Sequence, residues 1–210
     1  MNFAAVILAG GESRRMGYDK AWLELNGQPL VARALSLVRR VGVDELFISG
    51  RAGVDYSRLG CPVLFDVEPG GGPLGGIQRA LETARAPLLL VLAVDLPNMT
   101  AEFLRNLAAS CEPLAGVVPR MEGRFEPLAA IYPRRSLAIA RDCWLNGRRA
   151  ARDFAAACLS EGVVRTFDVA AEDAACFENW NTPADIVRSG TGADRPSRPA
   201  LSTNDSGSPT

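Results

Sequence analysis

The chain opens with a short apolar run that leads into a glycine-rich, positively charged loop. Residues 3–20 read Phe3-Ala4-Ala5-Val6-Ile7-Leu8-Ala9-Gly10-Gly11-Glu12-Ser13-Arg14-Arg15-Met16-Gly17-Tyr18-Asp19-Lys20. An apolar run of this length bounded by glycines is typical of a buried strand in a parallel sheet. Glycines let neighbouring backbone N–H groups turn toward one point, and the arginines and lysine add positive charge there. The stretch therefore predicts a strand followed by an anion-binding loop.

The composition predicts a single folded domain. The 210 residues are 48% hydrophobic, which is enough to build one sizeable core. From Ser189 onward the residues are mostly glycine, serine, threonine, proline and aspartate, with almost no apolar side chains. Such a segment buries too little apolar surface to fold. We therefore expect one domain over residues 1–188 and a disordered tail over residues 189–210.

The charge and the cysteines exclude several classes of protein. The formal net charge of −1 argues against a nucleic-acid or membrane surface that acts through bulk electrostatics. No apolar stretch reaches the roughly 18 residues of a transmembrane helix, and the first residues lack a basic region and a cleavage site. Five widely spaced cysteines without a C-x-x-C pair, and no histidine, argue against a zinc site. We expect a reduced, cytoplasmic protein without nucleic-acid or membrane partners.

Apolar runs and helical patterns alternate along the rest of the chain. A glycine-rich loop is predicted over residues 68–76, and Thr100 is predicted to cap the helix that follows it. A capping box at Thr182 predicts a last short helix. The predicted strands are residues 46–48, 63–65, 88–94, 115–119, 125–132 and 163–169. The predicted helices are residues 29–41, 77–84, 100–107, 137–145 and 149–159.

This alternation predicts an α/β fold in three layers, with a Rossmann-like mixed, mainly parallel sheet and helices on both faces. The strands at 115–119 and 125–132 are joined by a tight turn, so we expect that pair to be antiparallel. Open sheets of this class bind ligands beyond the carboxyl ends of their strands. The loops after Ala9, Ile48, Phe65 and Val94 should therefore meet at one edge.

Asp95 directly follows the longest apolar run, so its carboxylate should stand at the rim of a central strand. A carboxylate at such a strand end, next to a phosphate-binding loop, suits Mg²⁺, which takes few protein ligands and shares substrate phosphates. The alternative is a turn aspartate that starts the next segment together with Pro97. Asp66 also ends a predicted strand.

The opening loop resembles a known signature. The pattern Leu8-Ala9-Gly10-Gly11-x-Ser13-x-Arg15-Met16-Gly17-x-Asp19-Lys20 is similar to the loop of nucleotidyltransferases that use a nucleoside triphosphate to cap a phosphate. The Gly10-Gly11 pair, followed by Leu23-x-Leu25-x-Gly27-x-Pro29-Leu30, most resembles the molybdenum cofactor guanylyltransferase family. The resemblance runs from about Phe3 to Val187.

The resemblance implies Mg²⁺-dependent transfer of GMP from GTP to the molybdenum–molybdopterin cofactor, with molybdoenzymes or their chaperones as recipients of the product. Lys20 and Arg15 would neutralise charge on the phosphates, which is the main work of catalysis in phosphoryl transfer. The family's metal-binding aspartate matches Asp95. The implied nucleotide contacts are Leu8, Ala9, Gly10, Gly11, Lys20, Asp66 and Asp95.

Two later segments resemble the acceptor side of the same family. One is Arg124-x-x-Pro127-Leu128-x-Ala130-x-Tyr132, where many relatives carry glutamine at the position of Glu126. The other is Phe177-x-Asn179-x-Asn181-Thr182-Pro183-x-Asp185. The resemblance implies that Asn179 and Asn181 reach the metal or the acceptor phosphate, unless they only end a strand and cap a helix.

Three other functions stay open at this stage. A cytidylyltransferase of the same fold would act on molybdopterin cofactor or on a sugar or polyol phosphate, but the Gly10-Gly11 pair favours guanine. A GTP-binding accessory protein would deliver the cofactor without catalysis. A nicotinamide-dependent oxidoreductase rests only on Gly70-x-Gly72-x-x-Gly75, which is displaced from the preceding strand and interrupted by Pro73.

Overall fold

The computed structural model describes residues 2–10, 20–65 and 71–180. The helices are α1 (Leu30–Val41), α2 (Gly72–Thr83), α3 (Ala101–Ala109), α4 (Ser136–Leu145) and α5 (Ala151–Ser160). The strands are β1 (Phe3–Leu8), β2 (Glu24–Leu25), β3 (Gln28–Pro29), β4 (Glu45–Gly50), β5 (Val63–Phe65), β6 (Leu88–Ala93), β7 (Gly116–Met121), β8 (Arg124–Phe125), β9 (Ala129–Pro133) and β10 (Val164–Asp168). Short 3₁₀ helices lie at Lys20–Trp22, Ser57–Leu59 and Ala171–Phe177.

One mixed sheet of eight strands organises the described residues, in the order β10-β7-β9-β6-β1-β4-β5, with β8 paired to β7. Strand β1 runs parallel to both β4 and β6, in a register that aligns Val6 with Phe47 and with Val91. Strand β9 runs antiparallel to β6 and β7, and β8 is antiparallel to β7. This confirms the predicted fold class and the antiparallel pair.

Two apolar layers cover the two faces of the sheet. Helices α1 and α3 pack on one face, together with the aromatic cluster of Phe103, Phe167 and Phe177. Helices α2, α4 and α5 pack on the other face. Strand β6 is buried along its whole length because both layers cover it. Its continuous apolar run is the pattern expected of a strand covered on both faces.

Helix α3 begins where the sequence predicts it. The Thr100 hydroxyl accepts a hydrogen bond from the Phe103 N–H at 3.1 Å, which satisfies one of the free donors of the first turn. Helix α1 ends at Gly42, whose φ of 86° is the left-handed conformation that closes many helices. These local signals set the helix boundaries.

The prediction of a glycine-rich loop through residue 76 was wrong, because α2 already begins at Gly72. Pro73 fits the first turn, where a missing N–H costs nothing. Gly76 lies in the second turn, packed so closely on Ser49 that a Cβ would overlap the Ser49 hydroxyl. Gly76 therefore serves close packing against the sheet.

The predicted strand 63–65 is β5, which lies at the edge of the sheet with Phe65 48% exposed. The predicted strand 125–132 is split into β8 and β9, with residues 126–128 between them. Pro127 has no N–H to donate to a ladder, which suits it to such a break. The predicted helix at Thr182 and the predicted tail lie outside the described residues.

Candidate active site

The carboxyl ends of β1, β4, β5 and β6 lie along one edge of the sheet, as predicted. The Ala9 N–H donates to the Ser49 carbonyl at 2.9 Å, and the Val94 N–H donates to the Leu8 carbonyl at 3.2 Å. Gly10 lies against the backbone of Gly50, and a Cβ at Gly10 would be 3.4 Å from the Gly50 oxygen. Leu8, Ala9 and Gly10 are thus held at the edge where the sequence predicts a nucleotide.

Lys20 and Asp95 face each other at this edge. The Lys20 Nζ lies 3.7 Å from Asp95 Oδ2, and their side chains are 23% and 25% exposed. Lys20 is also the sole lysine in the sequence. All the other residues among its 23 lysines and arginines are arginines. A lysine ammonium is a compact point charge that can shift between phosphate oxygens. An arginine guanidinium is planar and donates its hydrogen bonds in a fixed fork geometry. The structure brings together the two predicted catalytic residues that it describes.

Burial dominates the electrostatics of Asp95. Desolvation raises the pKa of the Asp95 carboxyl above its usual value, and the nearby Lys20 ammonium only partly offsets this effect. A partly buried carboxylate in this state gains from a further cation beside it. Within the described residues no group of three or more acidic, histidine or cysteine side chains surrounds a common point.

The last described residues, 178–180, lie beside the segment that carries Asp95. The Trp180 N–H donates to the Asp95 carbonyl at 3.1 Å, and the Asn98 side chain donates to Glu178 at 3.0 Å. Trp180 is buried as a packing residue, and Asn179 beside it is exposed. Asn179 is therefore placed near Asp95. Arg15, Gly11, Asp66 and Asn181 lie outside the described residues.

The start of α2 carries contacts that sequence reasoning missed. The Trp144 ring packs against Gly71, where a Cβ would come within 2.7 Å of it. The Arg149 guanidinium lies over the same ring, 4.4 Å from its centroid. Trp144 and Arg149 come from α4 and the α4–α5 loop, a region in which the sequence shows no motif. The signal available was the cluster of arginines between residues 148 and 152.

A concavity lies beside the segment that carries Asp95. It is a cleft of about 370 Å³ between α1 and residues 92–99, with Arg33 and Arg40 on its polar side. The Arg33 guanidinium donates to the Pro97 carbonyl at 3.4 Å. Neither Lys20 nor Asp95 lines the cleft, but Val94 and Leu96, on either side of Asp95 in the chain, do.

The fold and the site together define the class of protein to which the chain belongs. The model of the MobA-like NTP transferase domain family matches residues 5–162. A solved structure from Archaeoglobus fulgidus, titled molybdopterin-guanine dinucleotide biosynthesis protein A, superposes with a TM-score of 0.70 at 24% identity, over 88% of this chain and 95% of that one. A Thermus thermophilus 2-C-methyl-D-erythritol 4-phosphate cytidylyltransferase gives a TM-score of 0.66 at 20% identity, over 87% and 95%. These structures share the nucleotidyltransferase fold.

Curated relatives identify one family within this class. The molybdenum cofactor guanylyltransferase of Rhodobacter capsulatus is 36% identical over 199 residues, which cover 90% of this chain and 95% of the relative. A protein of Opitutus terrae, described as a probable molybdenum cofactor guanylyltransferase, is 39% identical over 188 residues, covering 88% and 93%. The chain belongs to the molybdenum cofactor guanylyltransferase family, as the motifs of its first thirty residues predict.

No helix in the described part of the chain combines the length and the apolar character needed to cross a membrane. The five cysteines carry free thiols, and all but Cys61 are buried. Burial raises the pKa of the Cys111 and Cys158 thiols to about 12. These thiols are therefore protonated packing groups, as the sequence predicts.

Proposed function

We propose that the protein transfers GMP from GTP to the terminal phosphate of the molybdenum–molybdopterin cofactor and releases pyrophosphate. The observation that carries this proposal is the Lys20–Asp95 pair at the carboxyl edge, beside the backbone of Leu8, Ala9 and Gly10, in a chain of the guanylyltransferase family. An acceptor phosphate oxygen forms a bond to the α-phosphorus of GTP as the bond from that phosphorus to the pyrophosphate oxygen breaks.

This reaction needs no general base. An ionised phosphate is already a nucleophile, which suits a chain without histidine. Most of the catalysis then consists of positioning and charge neutralisation. Lys20 supplies a positive charge that moves with the phosphate oxygens as negative charge accumulates on the leaving pyrophosphate. Arg15 is assigned the same role by the family resemblance.

Asp95 is the proposed ligand of Mg²⁺. The residues fit this ion because Mg²⁺ uses one or two carboxylates together with substrate phosphates, and Asp95 is a partly buried carboxylate whose pKa burial raises. When bound, Mg²⁺ would neutralise phosphate charge and align the reacting groups. Asn179 precedes Trp180, whose N–H donates to the Asp95 carbonyl, so the Asn179 amide oxygen is a second candidate ligand for the ion.

We infer from the sheet order that the two substrates lie on opposite sides of Asp95. The end of β1 and the start of α2 lie on the side of β4 and β5, where Gly10 packs on the Gly50 backbone and Gly71 packs on the Trp144 ring. We assign GTP to that side. Trp144 and Arg149 border it at the start of α2, where the guanidinium adds positive charge. The acceptor would lie over β9 and β7, beyond Asp95.

The test is pyrophosphate release by the purified protein with Mg²⁺ and molybdenum cofactor, with GTP and CTP compared separately. We expect release with GTP. Pyrophosphate release with CTP alone would overturn the guanine assignment. The absence of release with either nucleotide, together with tight GTP binding, would favour an accessory protein. Asp95→Ala and Lys20→Ala should each remove most turnover, while Asp44→Asn, at the opposite edge of the sheet where Asp44 accepts a hydrogen bond from the Phe3 N–H, should not.

The single lysine permits a second measurement that does not depend on turnover. Acetylation with an amine reagent can modify only Lys20 and the amino terminus, because the sequence contains no other lysine. GTP with Mg²⁺ should protect Lys20 from modification, as read by peptide mass spectrometry. Equal modification with and without saturating GTP would contradict the placement of Lys20 at the phosphates.

A further inference from the structure

The cleft between α1 and residues 92–99 has the size and the walls of a small-molecule site. Its volume of about 370 Å³ lies within the range of ligand pockets in proteins. Most of the residues that line it are apolar, and Leu37 of α1, Leu92 of β6 and Met99 are buried in its walls. Walls of this kind suit a ligand with an apolar body, which leaves water when it enters the cleft.

The polar side of the cleft is positively charged. Most of it comes from residues of α1 that follow one another at the three- and four-residue spacing of a single helix face, namely Arg33, Ser36, Leu37 and Arg40. Gln28, just before α1, adds an amide. In the part of the chain that the structure describes, no acidic residue lines the cleft. The two guanidiniums therefore favour an anion as the ligand.

Arg33 has an unused hydrogen-bond donor. Its Nε–H is buried and has no hydrogen-bond partner among the residues that the structure describes. Its Nη2 group donates to the Pro97 carbonyl at 3.4 Å, which is long for a hydrogen bond between N–H and oxygen. A buried donor without an acceptor costs free energy, and most such donors in folded proteins are paired. An anion in the cleft would give this guanidinium the acceptor that it lacks.

The cleft adjoins Asp95 but differs in position from the side proposed for GTP. Helix α1 packs on the face of the sheet that α3 also covers, whereas α2, whose start borders the GTP side, packs on the opposite face. Val94 and Leu96 line the cleft and flank Asp95 in the chain, but the side chains of Asp95 and Lys20 do not line it. A ligand in the cleft would therefore lie next to Asp95 without taking the place of the GTP phosphates.

We propose that this cleft is a second ligand site, which binds a small organic anion. The guanidiniums of Arg33 and Arg40 hold its phosphate or carboxylate group, because hydrogen bonds between ionised partners are among the strongest in proteins. Its flat apolar body packs on Leu37, Leu92 and Met99. The inference does not rest on the proposed function, since neither GTP nor the acceptor is assigned to these residues.

Small aromatic probes test the two parts of this chemistry by titration calorimetry with the full chain. 1-Naphthyl phosphate and 1-naphthoate combine an anionic group with an apolar body, whereas 1-naphthol lacks the charge and inorganic phosphate lacks the body. We expect one or both naphthyl anions to bind at least about tenfold more tightly than 1-naphthol and inorganic phosphate, and the tighter of the two identifies the anionic group. Binding should persist with saturating GTP and Mg²⁺. No preference for the naphthyl anions, or complete displacement by GTP, would overturn the proposal.

Two neighbouring arginines of α1 provide a matched pair of variants. Both are exposed, but Arg40 lines the cleft, whereas Arg39 does not and donates to the Leu59 carbonyl at 3.5 Å. Arg40→Gln should weaken binding of the naphthyl anion by about fivefold or more, and Arg39→Gln should change it by less than about twofold. An equal loss in both variants would indicate attraction to the charge of the whole helix and would contradict the proposal.

Arg33→Met separates a binding role from a structural one. Methionine is apolar and unbranched, so this variant removes the charge together with the unpartnered donor. We expect the Tm without ligand to stay level or rise, while binding of the naphthyl anion falls at least about tenfold. A lower Tm with unchanged binding would make Arg33 a structural residue and overturn its assignment. Neither measurement depends on guanylyl transfer, so the failure of one proposal is distinguishable from the failure of the other.

Discussion

Replacing Gly76 by alanine should destabilise the protein, although such a change within a helix normally stabilises it by about 1 kcal/mol. A Cβ at this position would overlap Ser49 Oγ and come within 3.0 Å of both Ser49 Cβ and Leu8 Cδ2. Overpacking costs about 1–3 kcal/mol, and three contacts this close indicate the upper part of that range. The expected net result is a loss of about 1–2 kcal/mol in the free energy of unfolding.

Urea denaturation of four proteins measures this effect: the wild type, Gly76→Ala, Ser49→Gly and the double variant. Ser49→Gly removes both Ser49 atoms that the new methyl group would meet. Gly76→Ala should therefore be tolerated or even stabilising in that background, which gives a coupling energy of about 1 kcal/mol or more. Gly76→Ala should also weaken GTP binding, because Leu8 must move. A wild-type-like or more stable Gly76→Ala, or a coupling energy near zero, would refute the argument.

Two further predictions concern titration and reactivity. Because burial raises the pKa of Asp95 above its ordinary 3.8, the folded state binds more protons than the unfolded state between those values, and stability falls as pH rises through this window. Asp95→Asn should therefore have a higher Tm than the wild type at pH 7 in EDTA, with the difference vanishing below about pH 4; a lower Tm at pH 7 would mean that attraction to Lys20 dominates. For the cysteines, a disulfide reagent at pH 8 should modify Cys61 first, since the other four thiols are buried, and reach all five only in denaturant. Rapid reaction of a buried thiol in the native protein would contradict this.

The sequence predicts the centre of the site well because the signals there are local. The apolar run that becomes β6 ends at Asp95, and its length alone indicates a strand covered on both faces. The opening motif places Leu8, Ala9 and Gly10 at the edge because a short strand must end where its apolar residues end. Local chemistry of this kind does not depend on the rest of the fold.

The missed features depend on contacts between distant segments. Gly76 looks like a loop residue until the position of Ser49 shows that it is a packing residue in a helix. The contacts of Trp144 with Gly71 and Arg149 follow from how α4 and α2 meet. Hydrophobic periodicity contains no information on such pairs.

The pairing of β6 with β9 has an evolutionary consequence. Strands β1, β4, β5 and β6 come from residues before 94, whereas β7, β8, β9 and β10 come from residues after 115, so each half of the sheet is built from one continuous stretch of the chain. A single recombination breakpoint between residues 97 and 100 would exchange the half that carries Glu126 and keep the half that carries Leu8 and Lys20. Trp144 and Arg149 would move with the exchanged half, so such an exchange would alter the border of the proposed GTP side together with the acceptor side.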